Sequence, residues 1–154
     1  MDGREKFEDR AAERYDLEPD VREFPAGTET APDAADAIGC DVAQIASSIA
    51  LVADELVVVV TSGANRVDTR ALATMRGVHT ARMADPDEVA EELGYDVGGV
   101  PPICHDSTVP IYLDETLAGF ETVWAAAGSP NAVFPIDPER LVELTGATVA
   151  DLAE

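Results

Sequence analysis

Cysteine, histidine and long apolar runs are all scarce in this chain of 154 residues. Its two cysteines, Cys40 and Cys104, cannot form a disulfide framework, and with two histidines no tetrahedral zinc spacing arises, so no metal site is predicted. No segment approaches the roughly 20 apolar residues that span a bilayer, and the N-terminus lacks the apolar stretch of a secretory signal. These absences lead us to expect a cytoplasmic protein with no membrane partner.

Positive charge is equally scarce, because 10 basic residues face 31 acidic ones and the formal net charge is −21. The single lysine, Lys6, is remote from the rest of the pattern and is expected on the surface. Phosphate affinity comes from lysine and arginine, so DNA is not an expected partner. We interpret the acidity as adaptation to high salt, where a screening length of about 3 Å at 1 M quenches repulsion between surface acids. The alternative is a chain that binds a basic partner.

One window departs from this charge pattern. Between Leu56 and Met83 the only acid is Asp68, while the window holds four arginines: Arg66, Arg70, Arg76 and Arg82. These arginines either form salt bridges to acids elsewhere or keep one face positive for a polyanion.

Aromatic residues make up only 5% of the chain, which predicts a core of alanine, valine, leucine and isoleucine. The length fits one domain, residues 1–154. Within it, Phe7, Ala11 and Tyr15 recur at helical spacing, which predicts an N-terminal helical extension over residues 1–20, at the edge of the core or outside it.

Helix start signals and β-branched runs alternate irregularly along the rest of the chain. Helices are predicted to begin after Thr30, Asp68, Asp85 and Asp137, and a short one after Asp41. Strands are predicted at 21–24, 48–52, 56–61, 78–82, 109–113 and 123–127. The pattern predicts an α+β (mixed α/β) fold with a mixed sheet, curled toward a barrel, and helices packed outside.

Two glycine-rich loops lie beside apolar strands in the second half of the chain. One covers 98–102, where Gly98 and Gly99 precede Val100, and the other covers 127–131, where Gly128 precedes Ser129. Glycine lets a ligand approach the bare backbone, so two such loops facing each other would form a pocket lined by backbone N–H donors. The alternative is that both are ordinary turns.

The order and spacing of several motifs resemble the YbaK family of aminoacyl-tRNA deacylases, the editing domains associated with prolyl-tRNA synthetase. The resemblance runs from about Phe24 to Glu154. It rests on Thr28 and Thr30 before a helix, Gln44-Ile45-Ala46, Asn65-Arg66-Val67-Asp68, the 98–102 loop with His105, and the 127–130 loop. It implies a YbaK-like fold and hydrolysis of the aminoacyl ester of mischarged tRNA.

The resemblance also implies where the substrate binds. The pocket would be small, and the glycine loops would hold the carbonyl or the terminal ribose through Gly98, Gly99, Val100, Gly128 and Ser129. Thr30 and Ser48 are further substrate-binding candidates. Aminoacyl-tRNA is the expected partner, with a synthetase as a second one, and no cofactor is expected. Arg66 and Arg70 are the candidates for contact with tRNA.

The sequence departs from the family at Ser47, where a lysine that orients the ester or the terminal nucleotide is usual. Serine lacks the charge and some 4 Å of reach of that lysine. Ser47 is therefore a candidate catalytic position without an evident base. Either another group, such as an arginine of the 66–82 window, replaces the ammonium, or the protein is a non-catalytic aminoacyl- or tRNA-binding or synthetase-associated module.

The remaining expectations concern His105, Cys104, Trp124 and the pair Asp114-Glu115. His105 is a catalytic candidate that could assist water, or a loop histidine with a structural hydrogen bond. Cys104, at a position where glycine is more usual, raises a third hypothesis, a thiol-dependent hydrolase. Trp124 is expected in the core, and Asp114 is expected to cap a turn rather than to form a catalytic carboxylate pair with Glu115.

Overall fold

The sheet that organises this protein has a break along one edge of its longest strand. The computed structural model describes residues 2–25 and 30–154, so Thr28 of the resemblance lies outside the described residues. The helices are α1 (Gly3–Tyr15), α2 (Ala31–Ile38), α3 (Thr69–Arg76), α4 (Pro86–Leu93), α5 (Glu115–Ala118) and α6 (Pro138–Thr145). The strands are β1 (Arg22–Glu23), β2 (Ile45–Ala53), β3 (Glu55–Ser62), β4 (Arg82–Met83), β5 (Ile111–Asp114), β6 (Val123–Ala126), β7 (Ala132–Ile136) and β8 (Thr148–Ala150).

The strands form one mixed sheet in the order β1-β7-β6-β2-β3-β5-β8, with β4 paired to β2 off this path. Antiparallel pairs join β1 to β7, β7 to β6, and β2 to both β3 and β4. Parallel pairs join β6 to β2, β3 to β5, and β5 to β8. The predicted mixed α/β class with helices packed around the sheet is confirmed.

The helices begin and end where their capping residues predict. The Thr30 side chain accepts a hydrogen bond from the Asp33 N–H (3.2 Å), and the Asp68 carboxylate accepts from two N–H groups of α3. Proline occupies the first turn of α4 and α6, after Asp85 and Asp137. Helices α2, α3, α4 and α6 each end at a glycine with positive φ, a conformation that costs glycine little.

Both faces of the sheet are covered. Helices α1, α4, α5 and α6 bury Phe7, Leu93, Leu117 and Leu141 on one face, in a cluster that includes Val58 and Val60. On the other face Leu72 of α3 packs in a cluster with Val57 and Val59, and α2 adds a smaller cluster. All four valines of β3 are fully buried, as expected for a β-branched run in a central strand.

The N-terminal helix, expected over residues 1–20 at the edge of the core or outside it, spans only Gly3–Tyr15 and packs into the core. Phe7 and Ala11 are fully buried, and the Phe7 ring lies 4.9 Å from that of Phe134, centroid to centroid. Lys6, expected on the surface, is instead largely buried: its side chain is 23% exposed, and its ammonium donates to the Gly94 carbonyl (2.7 Å). The reason is that α1 presents Lys6 on the flank of its buried stripe.

Two further predictions need adjustment, and one is confirmed. The strand predicted at 78–82 is displaced to Arg82–Met83, because the Val78 N–H bonds to the Ala73 carbonyl as part of the C-terminal cap of α3. The strand predicted at 109–113 begins at Ile111. Asp114 does act as a cap, because its carboxylate accepts from the Thr116 N–H (3.0 Å). The carboxylate is buried, and further hydrogen bonds from Ser62 and Asn65 offset the cost of that burial.

No helix in the described part of the chain is long and apolar enough to cross a membrane.

Candidate active site

The break in the sheet lies on the edge of β2 that faces away from β3. At one end of this edge β6 pairs with Ile45 and Ala46, and at the other end β4 pairs with Leu51 and Val52. Between them, no described strand covers residues 47–49. A cavity of about 220 Å³ fills this break.

The lining of the cavity is mostly apolar. Residues 45–50 of β2 form its floor together with parts of α2, β4, α4, β6, β7 and the first glycine loop. The remaining lining residues are Thr30, Ala31, Ala34, Met83, Ala84, Val89, Val97, Gly98, Val100, Trp124, Ala125, Ala126 and Val133. Among the described lining residues none has a titratable side chain, and Thr30, Ser47 and Ser48 supply the hydroxyl groups.

Ser47 and Ser48 reach the cavity from opposite faces of the sheet, because successive side chains of a strand alternate. The Ser48 Oγ atom is buried and has no hydrogen-bond partner among the described residues. The Ala50 carbonyl accepts from the Ala84 N–H, so Ala50 directs its backbone groups to the open edge. Because an antiparallel ladder alternates with period two, Ser48 directs its own N–H and C=O groups into the break.

The first glycine loop lies at the mouth of this cavity. Gly98 and Val100 line it, and Gly98 has a φ of +95°. Gly99 is turned away from it: a Cβ built there would lie 2.8 Å from the Ser129 Cα atom. The two glycine loops therefore touch through Gly99 and Ser129.

The second glycine loop lies outside this cavity. Gly128 and Ser129 line a separate, more polar cavity of about 320 Å³ beside Gly3, Lys6 and Tyr95. Gly128 has a φ of +96°, and a Cβ built on it would collide with the Gly3 carbonyl. The backbone of α1 thus occupies the space beside Gly128 where a substrate was expected.

His105 does not line the cavity either. It is buried, and its Nε2–H donates to the Pro101 carbonyl (2.7 Å). Burial lowers the pKa of His105 and favours the neutral ring, although the hydrogen bond to Pro101 acts in the opposite direction. In the structure, the His105 ring therefore makes a structural hydrogen bond that joins residue 105 to the first loop at Pro101.

The thiol-dependent hydrolase is contradicted by the surroundings of Cys104. The side chain is 1% exposed, and burial raises the pKa of the Cys104 thiol to about 11. A thiol that stays protonated at neutral pH is a poor nucleophile. Cys104 has a φ of +69°, which explains why glycine is the more usual residue there.

The arginine window divides into two pairs. Arg76 contacts Glu55 (3.0 Å) and Arg82 contacts Glu88 (2.8 Å), and the Arg82 hydrogen bond lowers the pKa of Glu88 to about 2. Arg66 and Arg70 are exposed and form no ion pair with any residue of the described ranges. Salt bridges therefore explain Arg76 and Arg82 but not Arg66 and Arg70.

Sequence reasoning missed most of the apolar cavity wall, and Trp124, Met83 and Val97 are the clearest examples. Trp124, expected in the core, is half-buried on the wall with the Arg22 guanidinium 5.0 Å from its ring centroid. Met83 and Val97 line the same cavity although they are 56% and 60% exposed. The one signal in the sequence was a lone tryptophan in an aromatic-poor chain. Across residues 2–25 and 30–154, no group of three or more His, Cys, Asp or Glu side chains is placed to hold a metal ion.

Comparisons with known proteins place the chain among editing domains. A family model described as "Aminoacyl-tRNA editing domain" matches residues 25–144. The Bacillus subtilis protein YwhH, itself uncharacterized, is 34% identical over 140 residues, which are 88% of this chain and 87% of YwhH. EbsC of Enterococcus faecalis, by name a proposed Cys-tRNA(Pro)/Cys-tRNA(Cys) deacylase, is 25% identical over 125 residues, with 80% and 76% of the two chains covered.

Solved structures extend this likeness to nearly the whole chain. A protein described as a proposed trans-editing enzyme for prolyl tRNA synthetase is 39% identical with a TM-score of 0.91, and 100% of this chain and 98% of that one are covered. The hypothetical protein APE2540 is 30% identical with a TM-score of 0.88, and 97% and 99% are covered. The YbaK-like fold is confirmed by these structures.

Proposed function

The chain belongs to the family of aminoacyl-tRNA editing domains, the YbaK family of the sequence resemblance, and from this premise we propose that it is a trans-editing deacylase. Its reaction would be hydrolysis of the ester that joins an amino acid to a mischarged tRNA. The observation that carries the proposal is the cavity at the break in the sheet, where β2 directs unpaired donors inward. This cavity lies within the segment that matches the family model.

The chemistry follows from the donors that the cavity offers. Water adds to the ester carbonyl carbon and loses a proton to solvent, and the carbonyl oxygen becomes an oxyanion. The bond between the acyl carbon and the ribose oxygen then breaks, and the ribose oxygen takes up a proton from solvent, which releases amino acid and tRNA. The Ser48 N–H and Oγ–H groups can donate to that oxyanion, and Gly98 lets the ribose approach the backbone. The proposed substrate contacts therefore come from Thr30, Ser47, Ser48, Gly98 and Val100.

The second candidate is a binding module without turnover. It is favoured by the lack of a titratable side chain among the described cavity residues, since such a cavity holds no general base. With Ser47 in place of the family lysine, the deacylase would depend on orientation and oxyanion stabilisation alone.

An assay on a panel of mischarged tRNAs separates the two candidates. The panel includes Cys-tRNA(Pro) and Cys-tRNA(Cys), for which the Enterococcus relative is named, and is run at low and at molar salt. We expect release of at least one amino acid at about ten times the spontaneous rate or faster, equivalent to about 1.4 kcal/mol of barrier lowering. Saturable binding of mischarged tRNA at the spontaneous rate of hydrolysis would instead support the module.

Arg66 and Arg70 are proposed to contact the tRNA backbone. Replacing both by glutamine should weaken binding of every tRNA to a similar degree and leave the amino-acid preference unchanged, because phosphate contacts carry no information on sequence or amino acid. The slope of log Kd against log salt should fall by up to about two, because each lost phosphate contact removes about 0.7–0.9 from it. Titrations at several salt concentrations measure both effects.

The matched control is Arg140→Glu, which changes the net charge by the same amount as the double glutamine variant. Arg140 is exposed on α6, and its contact with Glu143 is a loose 3.9 Å. If the control weakens tRNA binding as much as the double variant does, the effect comes from overall charge, and the contact assigned to Arg66 and Arg70 must be abandoned.

A further inference from the structure

Helix α1 carries a row of three cations spaced by four residues: Lys6, Arg10 and Arg14. Residues four apart lie on the same side of a helix, so the row forms one stripe. In a chain with only 10 basic residues, this is a concentrated use of positive charge. The whole stripe faces the segment 94–106, which forms most of the connection from α4 to β5 and carries the first glycine loop.

Each cation of the stripe binds this segment. Lys6 donates to the Gly94 carbonyl (2.7 Å) and pairs with Asp106 (3.0 Å). Arg10 donates to the Cys104 carbonyl (3.0 Å) and pairs with Asp106 (2.5 Å).

Arg14 completes the row by donating to the His105 carbonyl (2.8 Å). The α1 cations therefore hold both ends of the segment. Burial alone would raise the pKa of Asp106, but the hydrogen bonds from Lys6 and Arg10 outweigh it and lower the pKa, so this carboxylate is ionised and paired at neutral pH.

Hydrogen bonds within the segment connect these contacts to the cavity wall. The Tyr95 hydroxyl donates to the Cys104 carbonyl (2.9 Å), so that carbonyl accepts from both Tyr95 and Arg10. The His105 ring donates to the Pro101 carbonyl, one residue beyond Val100 of the cavity wall. A shift of residues 104–106 would therefore move the wall.

The same helix also contacts the second glycine loop. The Gly3 backbone packs against Gly128, and the Ser129 backbone packs against Gly99. Helix α1 thus touches the second loop directly and reaches the first loop through Ser129, although α1 lies outside residues 25–144 that match the family model.

We propose that α1 is a positioning element of the active site and that Arg10, at the centre of the stripe, is its main positioning residue. Arg10 does not line the cavity. It acts through the Cys104 carbonyl and Asp106, by fixing the loop whose Gly98 and Val100 face the substrate. The functional part of this inference rests on the proposed deacylase function, whereas the fixing of the loop does not.

The test compares Arg10→Gln with the intact protein by hydrogen exchange and by kinetics. Losing a charged hydrogen bond and an ion pair that are only partly exposed should speed amide exchange across residues 97–104 about tenfold. Exchange of the Val57–Val60 amides in β3 should stay unchanged. With the same enzyme, kcat/KM on a hydrolysed mischarged tRNA should fall about tenfold, and Arg10→Lys should recover part of the loss.

Arg140→Gln is the matched control, because it removes the same charge from an exposed site that does not contact the loop. Arg14→Gln, which loses only the His105 contact, replaces Arg10→Gln if the latter unfolds. Unchanged exchange at 97–104 in the arginine variants would overturn the fixing of the loop. A faster-exchanging loop with undiminished kcat/KM would overturn its role in positioning.

The two proposals fail in different ways. If the intact protein hydrolyses no mischarged tRNA, the deacylase function is wrong, while hydrogen exchange still decides whether α1 fixes the loop. In that case the affinity for mischarged tRNA replaces kcat/KM, and an equal Kd for Arg10→Gln and the intact protein would overturn the positioning role.

Discussion

Replacing Ser47 with lysine is expected to raise the rate of deacylation of at least one mischarged tRNA by about ten- to a hundredfold. Ser47 lines the cavity at the break in the sheet, where no described side chain carries a positive charge. A preorganised cation that meets charge developing in the transition state can supply a few kcal/mol, and each 1.36 kcal/mol is about tenfold in rate. Steady-state kcat/KM on the tRNA panel measures the gain.

The local structure favours this substitution. Ser47 is half-buried in the middle of β2, opposite Thr61 of β3, so its backbone position is fixed by the ladder. A lysine stem can lie along apolar neighbours such as Ile45 and Ile49 while the ammonium extends into the cavity. The substitution therefore tests the missing charge with little cost to the strand.

Two control variants separate charge at the site from charge in general. Thr148→Lys adds the same cation at an exposed position on β8, outside the cavity lining, and should leave the rate unchanged. Ser47→Ala should change little, because the serine hydroxyl has no base beside it. If Ser47→Ala abolishes a robust activity, the serine itself is catalytic and the proposed role of this position is wrong.

Local signals in the sequence predicted most of the secondary structure. Helix starts at Thr30, Asp68 and Asp85, and the glycines that end those helices, depend on side chains within a few residues. The run of valines in β3 likewise predicts a strand buried on both faces. Short strands such as β4 have no comparable signal, since two residues become a strand only by pairing with β2.

The cavity could not be predicted in the same way, because it depends on contacts far apart in sequence. It exists because β6 and β4 pair with the two ends of one edge of β2, a register that no local pattern encodes. The glycine loops showed the same limit. A glycine with positive φ is the same in sequence whether it faces a substrate, as proposed for Gly98, or the backbone of α1, as seen for Gly128.

Helix α1 illustrates the limit for side chains. The spacing of Phe7, Ala11 and Tyr15 predicts an amphipathic helix but does not identify what it packs on. Lys6 was expected on the surface because it is remote in sequence from the other motifs, yet its partners are Gly94 and Asp106, which lie far along the chain. Such partners become visible only when the tertiary fold brings them together.

Gly98 and Gly128 test whether each glycine faces a substrate or the backbone of α1. Gly128→Ala should mainly lose stability, and Gly98→Ala should mainly lose activity or affinity for mischarged tRNA. Their φ angles are +95° and +96°, so alanine brings similar backbone strain of about 1–3 kcal/mol at both positions. At Gly128 the new Cβ also collides with the Gly3 carbonyl, which should add about 1–3 kcal/mol. Gly128→Ala should therefore lower the Tm by roughly 10 °C, as measured by circular dichroism.

At Gly98 a Cβ meets no atom within 4 Å, so Gly98→Ala should cost no more than its strain, while the methyl group narrows the mouth of the cavity. Its kcat/KM, or its affinity for mischarged tRNA, should fall more than that of Gly146→Ala, a control with a φ of +69° and open surroundings away from the cavity. Equal stability of the Gly98 and Gly128 variants would show that α1 does not press on the second loop. Wild-type activity in Gly98→Ala would remove the first loop from the substrate's path and leave the hydroxyl groups of β2 as the remaining candidate contacts.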